Sequence, residues 1–330
     1  MISIVMTARD AEATLGEAVE SCLGQTHRDF ELVIVENGSV DGTGELMRSF
    51  RDDRLRVFSC GGSHVEAHEF AVSEARGELI ARMDADDVSH PERIARQAAM
   101  LYSDRSLSAC TCGVRVCSRG RDLGDGFLKY VDWLNGLMVP EDIARERFVE
   151  SPVVHPASMV RREALLAVGG YQDVDWAEDY DLWLRFLASG HRIGMVPEIL
   201  FDWYDSDSRL TRTHGRYSQE NFLRAKAHYL AALPQVQSGG VAICGAGPTG
   251  KKISRWLIDE GVQVRVFFEV NPRRIGESIA GVPVRDQAEM RRNGGEVLLG
   301  AVGLEGARDL IRGLAADQGF LEGDDFFCIA

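Results

Sequence analysis

The sequence predicts an α/β protein in two units. The first is a mostly parallel sheet flanked by helices, and the second is a small α/β domain. Three observations predict this. Over the first hundred residues, short apolar runs alternate with amphipathic stretches, the pattern of parallel strands covered on both faces. After Pro234 the chain restarts with the apolar run Val241–Cys244, followed by Gly-Ala-Gly-Pro-Thr-Gly250. The length, 330 residues, suits about two domains.

Each element has its own signal. Ile2–Met6 is a β-branched run and reads as a buried strand. Thr14 and Glu17 have capping-box spacing ahead of Leu15, Val19, Cys22 and Leu23. Glu31–Val35 is a strand ending in the turn signal Glu36-Asn-Gly-Ser39. Asp41–Phe50 reads as a helix, Leu55–Ser59 as a strand, Val65–Ala75 as a helix and Leu79–Met83 as a strand. Ser89 and Glu92 form a second capping box, opening a helix to about Tyr102. Further on, strands are expected near 107–117 and helices near 141–148, 179–187 and 217–232. The expected division is 1–234, itself in halves of about 1–105 and 106–234. Residues 235–240 read as a linker, and 241–330 as the second domain.

Composition excludes several classes. Apolar residues make up 45% and charged residues 27%, as in ordinary globular proteins. No run approaches the ~20 apolar residues of a membrane span. The start, Met-Ile-Ser-Ile-Val-Met-Thr, lacks the basic segment of a signal peptide and reads as a strand. The net charge of −14 argues against nucleic acid as a partner. Residues 1–237 hold 26 basic and 38 acidic side chains, so most of the excess lies in the first unit. The seven scattered cysteines have no zinc spacing and read as reduced thiols, which suits a cytoplasmic protein. The inner face of the membrane is the other location considered.

Ligands of parallel sheets bind at the carboxyl ends of the strands. Asp84-Ala-Asp-Asp87 stands at such an end. Asp84 and Asp86 can point the same way, because side chains repeat every two residues. Clustered carboxylates suit Mg²⁺ or Mn²⁺. A solvated loop before the helix after Ser89 explains them equally well on spacing alone.

The order of motifs decides between these. Ser3-Ile-Val-Met-Thr-Ala-Arg-Asp10, Gln25-Thr-His-Arg-Asp-Phe-Glu-Leu-Val-Ile-Val-Glu-Asn-Gly-Ser-Val-Asp-Gly-Thr43 and Ala75–Ile94 with its D-x-D resemble inverting GT-A glycosyltransferases of family 2. So do Gly169-Gly-Tyr171 and Glu178-Asp179-Tyr-Asp-Leu-Trp-Leu-Arg185. The resemblance spans residues 1 to about 210. It implies a nucleotide-sugar donor, UDP- or dTDP-linked, and a hydroxyl acceptor that is a glycan or lipid-linked. Thr7, Ala8, Arg9, Glu36, Asn37, Asp84, Ala85 and Asp86 would bind the donor. Asp86 and Asp87 would hold a divalent metal. Asp179 would be the general base, preferred over Glu178, with Asp181 expected in solvent.

Some readings stay open. Asn37 suits the imide edge of a pyrimidine, but Asn-Gly is also a turn-former. His155, Tyr171 and Trp176 are either acceptor-side contacts or core. His214, with Arg209 or Arg212, either closes over the diphosphate or lies in a surface loop. The family often carries a basic residue followed by Asn where this chain has His68-Glu69, and a carboxylate there is awkward for an anionic donor.

In the C-terminal unit, Gly245, Gly247 and Gly250 make a G-x-G-x-x-G turn, and Glu269 falls where a ribose-binding acid would sit. The unit resembles small Rossmann-like modules. NAD(P) binding there is the less favoured expectation, because the unit is half the usual size. A structural role, or an oligomer or partner-protein contact, is favoured. The competing functions are an NAD(P)-linked oxidoreductase and a sugar-nucleotide pyrophosphorylase. The latter needs an N-terminal Gly-rich loop that Thr7-Ala-Arg-Asp-Ala-Glu12 does not supply.

Overall fold

The computed structural model describes residues 1–120, 122–207, 209–292 and 295–330. The contacts divide it into two compact units. One comprises Met1–Ile143, Pro152–Val174 and Glu178–Thr213. The other comprises Ala144–Ser151, Asp175–Ala177 and His214–Ala330.

The first unit is built on an eight-stranded sheet. Its strands are β1 (Ile2–Ala8), β2 (Phe30–Glu36), β3 (Leu55–Ser59), β4 (Leu79–Asp84), β5 (Val88–Ser89), β6 (Leu107–Ser118), β7 (Met159–Arg161) and β8 (Arg192–Asp205). The order is β3-β2-β1-β4-β7-β6-β8-β5. β1 to β4 run parallel, β7 is antiparallel to both its neighbours, and β6 and β8 are parallel.

The central strands are apolar on both faces, and alternate residues enter two core layers. Ile2, Ile4, Met6, Leu32, Ile34 and Met83 pack with Leu15, Val19 and Ile94 on one side. Val5, Val33, Val35 and Ile80 pack with Val72, Leu182, Trp183 and Phe186 on the other. The register pairs Thr7 with Val35 and with Asp84, and Ala8 with Glu36. Residues far apart in sequence therefore end at one carboxyl edge.

The second unit has six strands, β9 (Val241–Cys244), β10 (Val264–Glu269), β11 (Ser278–Ile279), β12 (Val282–Asp286), β13 (Val297–Gly300) and β14 (Phe326–Cys328). Their order is β11-β12-β10-β9-β13-β14, all pairs parallel except β11 with β12. Glu146 is buried among Arg145, Arg308 and Arg312. The buried Lys226 ammonium donates to the carbonyls of Val149 (2.7 Å) and Ile329 (3.1 Å).

Several local expectations change. Neither capping box at Thr14 or Ser89 forms. Thr14 precedes its helix without a side-chain cap, and Ser89 lies in β5. A reciprocal box forms instead at Ser63 and Glu66. Ser63 has the extended backbone that turns its hydroxyl back to the N3 amide, whereas Thr14 does not. The stretch read as a linker is helical over Pro234–Gly239, with Val236 buried. An amphipathic helix at Asp125–Asn135 was not foreseen. All seven cysteines are free. Among the described residues, no helix is long and apolar enough to cross a membrane.

Candidate active site

β4 ends in Asp84, and a tight turn follows before β5. This gathers Asp84, Asp86 and Asp87, with one oxygen from each within 4.8 Å of the others. Asp87 is fully buried. Its Oδ1 accepts from the Tyr204 amide at 2.7 Å, while its Oδ2 has no hydrogen-bond partner among the described residues. Burial raises the Asp87 carboxyl well above the ordinary range, the Asp86 charge adds to this, and the Tyr204 amide opposes it. Burial, with the Asp84 charge, also raises Asp86. Asp84 is the exception. Burial works against its charge too, but Arg82 and Arg209 outweigh it and hold the carboxyl low. Three close carboxylates with a buried orphan oxygen fit a divalent cation.

The carboxyl edge of β1 and β2 is as the register requires. Thr7 and Ala8 end β1, and the Ala8 carbonyl accepts from the Asn37 amide at 2.9 Å. The Glu36 carboxylate accepts from the Ser39 amide and closes the Asn-Gly turn, in which Gly38 has φ +68°. The Asn37 side-chain oxygen accepts from the Gly62 amide at 3.2 Å. Its carbonyl end is therefore engaged, and the turn reading of both residues is realised. Arg9 is exposed beside Asp10, and Ala85 is buried between the aspartates.

On the other side, the helix Glu178–Ala188 presents Glu178 and Asp179 at its first turn. Glu178 is buried and pairs with His64 Nε2 at 3.1 Å. Burial, then the neighbouring Glu178 charge, pushes the Asp179 carboxyl up to about 7, with Asp84 adding to the effect. Asp181 does not face solvent. It is buried and pairs with Arg185 at 2.7 Å, one helical turn on.

Tyr171 donates or accepts at His155 Nε2 over 2.8 Å, and both rings are buried. His155 is pushed down to about 3, mainly by burial and then by Arg82. Trp176 belongs to the second unit. Its ring lies on His228 (5.3 Å) and under Arg224 (5.4 Å) in the second unit, as a core aromatic does. Arg212 pairs with Asp205, and His214 accepts from the Arg216 amide. Arg209 lies 4.7 Å over Trp203, and its charge reaches all three aspartates.

The sequence reading missed Arg82, His64 and the true role of His68-Glu69. Arg82 is 4% exposed, although it interrupts the apolar run of β4. It pairs with Asp84 at 2.8 Å and reaches His68 Nε2 at 3.0 Å. A charge inside an otherwise apolar strand was the available signal. His64 and His68 are four apart on one helix and share a face. Their rings are 4.1 Å apart. Glu69 is engaged within the fold. It accepts from the Tyr171 amide and lies so close to Gly170 (φ +61°) that a Cβ there would meet its carboxylate at 2.5 Å.

In the second unit, Gly245 has φ +111°, and a Cβ on Gly250 would meet the Gly245 carbonyl at 1.9 Å. These glycines permit a close turn-to-helix approach. Glu269 accepts from the amides of Ala246 (3.2 Å), Val270 (2.9 Å) and Asn271 (3.1 Å), and from Arg274 (3.3 Å). Burial opposes its charge, but these bonds hold the carboxyl below the ordinary range. Its oxygens bind the glycine loop itself.

Comparison with known proteins identifies the family. The family model described as "Glycosyl transferase family 2" matches residues 3–169. The Escherichia coli "O-antigen biosynthesis glycosyltransferase WbnJ" is 28% identical over 230 residues, covering 68% of this chain and 84% of that protein. The E. coli "UDP-Gal:alpha-D-GlcNAc-diphosphoundecaprenol beta-1,3-galactosyltransferase" is 25% identical over 232 residues, covering 68% and 80%. Among solved structures, S. aureus TarS 1-349 with UDP-GlcNAc shares the fold. The TM-score is 0.54 at 16% identity, covering 78% of this chain and 72% of that one.

Proposed function

The chain belongs to glycosyl transferase family 2, and from that premise we propose an inverting, metal-dependent reaction that moves a sugar from a UDP- or dTDP-linked donor to a hydroxyl of a glycan or lipid-linked acceptor. One observation carries the reading. Three clustered aspartates, one with a buried oxygen unpartnered among the described residues, follow β4, and the charge of one of them, Asp84, reaches a carboxyl raised to about 7.

Asp86 and Asp87 would hold the divalent cation, which when bound supplies Lewis-acid compensation for a leaving diphosphate. The protein's own groups do the rest. Thr7, Ala8 and the Glu36-Asn37 turn flank the nucleoside. Asp84, kept ionised by Arg82, offers acceptor oxygens beside it. Asp179 takes the proton of the acceptor hydroxyl as that oxygen bonds to the anomeric carbon. The bond from that carbon to the diphosphate oxygen breaks, and the electron pair leaves with the nucleoside diphosphate. A single displacement inverts the anomeric centre. A base poised near the working pH combines an available ionised form with useful proton affinity.

A relative named for a UDP-galactose donor and a lipid-diphosphate acceptor supports the donor and acceptor classes. A relative named for O-antigen biosynthesis supports a polysaccharide setting. A cytoplasmic location, or one at the inner membrane face, belongs to the same reading. The test is a thermal-shift screen of UDP, dTDP and GDP, each with and without Mn²⁺. Stabilisation by UDP or dTDP that depends on Mn²⁺ is expected. No shift with any of the three would overturn the donor assignment.

A further inference from the structure

From the Arg82–His68–Thr7 contacts we infer that Arg82 and His68 are positioning residues that fix hydrogen-bond polarity, so that the Thr7 hydroxyl is a donor to an oxygen of the nucleoside end of the bound nucleotide. The ligand class rests on the function proposed above, whereas the polarity does not.

The argument begins with a group that has no choice. A guanidinium only donates. Arg82 Nη2 lies 3.0 Å from His68 Nε2, so that ring nitrogen accepts and carries no proton. A neutral imidazole with a bare Nε2 has its proton on Nδ1. His68 is buried, which disfavours the imidazolium, and the Arg82 charge disfavours it further. Nδ1 lies 3.3 Å from Thr7 Oγ1 and therefore donates to it. A hydroxyl that accepts from its protein neighbour keeps its single proton for another partner. Thr7 is only partly buried at the carboxyl end of β1, opposite Val35 and Asp84 and next to the Ala8–Glu36 pair.

The same chain of bonds gives the His64, His68 and Glu178 group a role other than metal binding. These three could hold a cation by distance. However, Arg82 already brings a positive charge to His68 Nε2, and Thr7 occupies Nδ1. The His68 ring also lies 5.0 Å from that of Tyr171, tilted by 44°, and Arg82 pairs with Asp84. One buried guanidinium thus orients groups on the donor edge and braces the ring packed against Tyr171.

Two measurements test the inference. The first is a long-range ¹H–¹⁵N spectrum of enzyme labelled in histidine, with the His68 signals assigned by their loss in His68→Leu. A protonated Nδ1 and bare Nε2 are expected at pH 7. A protonated Nε2, or an imidazolium, would overturn the polarity. The second is calorimetric titration of UDP in the presence of Mn²⁺. Thr7→Val should weaken binding about ten-fold, and Thr7→Ser should restore it. His68→Leu should weaken it similarly, with no further loss in the double variant. Unchanged affinity in a folded Thr7→Val enzyme overturns the ligand contact. If wild-type enzyme binds none of UDP, dTDP or GDP, the proposed function fails, and the spectrum still decides the polarity on its own.

Discussion

The ends of β4 and β10 both carry acidic residues, and they are built in opposite ways. At the end of β4, three carboxylates crowd together, and Asp87 keeps a buried oxygen without a partner. At the end of β10, Glu269 is also buried, but its oxygens take bonds from three amides and Arg274. The sequence context of both is the same: an apolar strand, then an acid. The difference is satisfaction. A buried carboxylate whose bonds are made by its own loop stabilises that loop. One left unmade is a standing cost that a ligand can relieve.

The largest test of this contrast is on Asp179, whose carboxyl burial pushes up to about 7. Asp179→Asn should lower kcat about 1,000-fold with little change in the donor KM, measured by nucleotide release. Near-normal turnover would remove the base. Next, chelation should abolish turnover, and Asp86→Asn should lose the Mn²⁺-dependent thermal shift with UDP and about 100-fold in kcat. A full shift in that variant would put the cation elsewhere.

The pH dependence should follow Asp179. Activity needs its ionised form, so kcat should fall as pH drops through about 7. Stability runs the other way. A raised folded-state value means the native state holds the proton more tightly than the unfolded chain does. This contribution is present below about pH 4 and is lost as pH rises to about 7. Asp179→Asn should therefore raise Tm at pH 8 and have less effect at pH 4.

The smallest effects set the two strand ends against each other directly. Glu269→Gln removes charge-assisted bonds and should cost about 1–3 kcal/mol in denaturant unfolding. Asp87→Asn removes a crowded, half-satisfied buried charge, so the metal-free protein should gain stability. Loss of stability in both would erase the distinction.

Much of the site was legible because its signal was local. Asp84, Asp86 and Asp87 follow an apolar strand, and Glu178-Asp179 opens an amphipathic helix whose stripe Leu182, Trp183 and Phe186 is core. The parallel strands β1, β2, β3 and β4 could be read from apolar runs, and alternate residues of these strands enter two core layers. Other features depend on partners distant in the chain. His64 meets Glu178, Glu69 meets the Tyr171 amide, and Arg82 meets His68. No spacing rule encodes such pairings. Capping failed for a related reason: Thr14 has a suitable side chain but a backbone that cannot present it.

The interleaving of the second unit has a consequence for how such a protein can arise and be divided. Glu146 and Val149 lie in a short segment of sequence inside the span of the first unit, yet their partners Arg312, Lys226 and Ile329 belong to the far end of the chain. Genetic recombination at residue 213 would not release a ready-made module. It would strand the Glu146 charge on one fragment and the Lys226 ammonium on the other. Exchange of the C-terminal part between relatives must therefore carry compensating changes near residues 144–151, and a shuffled gene lacking them should yield insoluble protein.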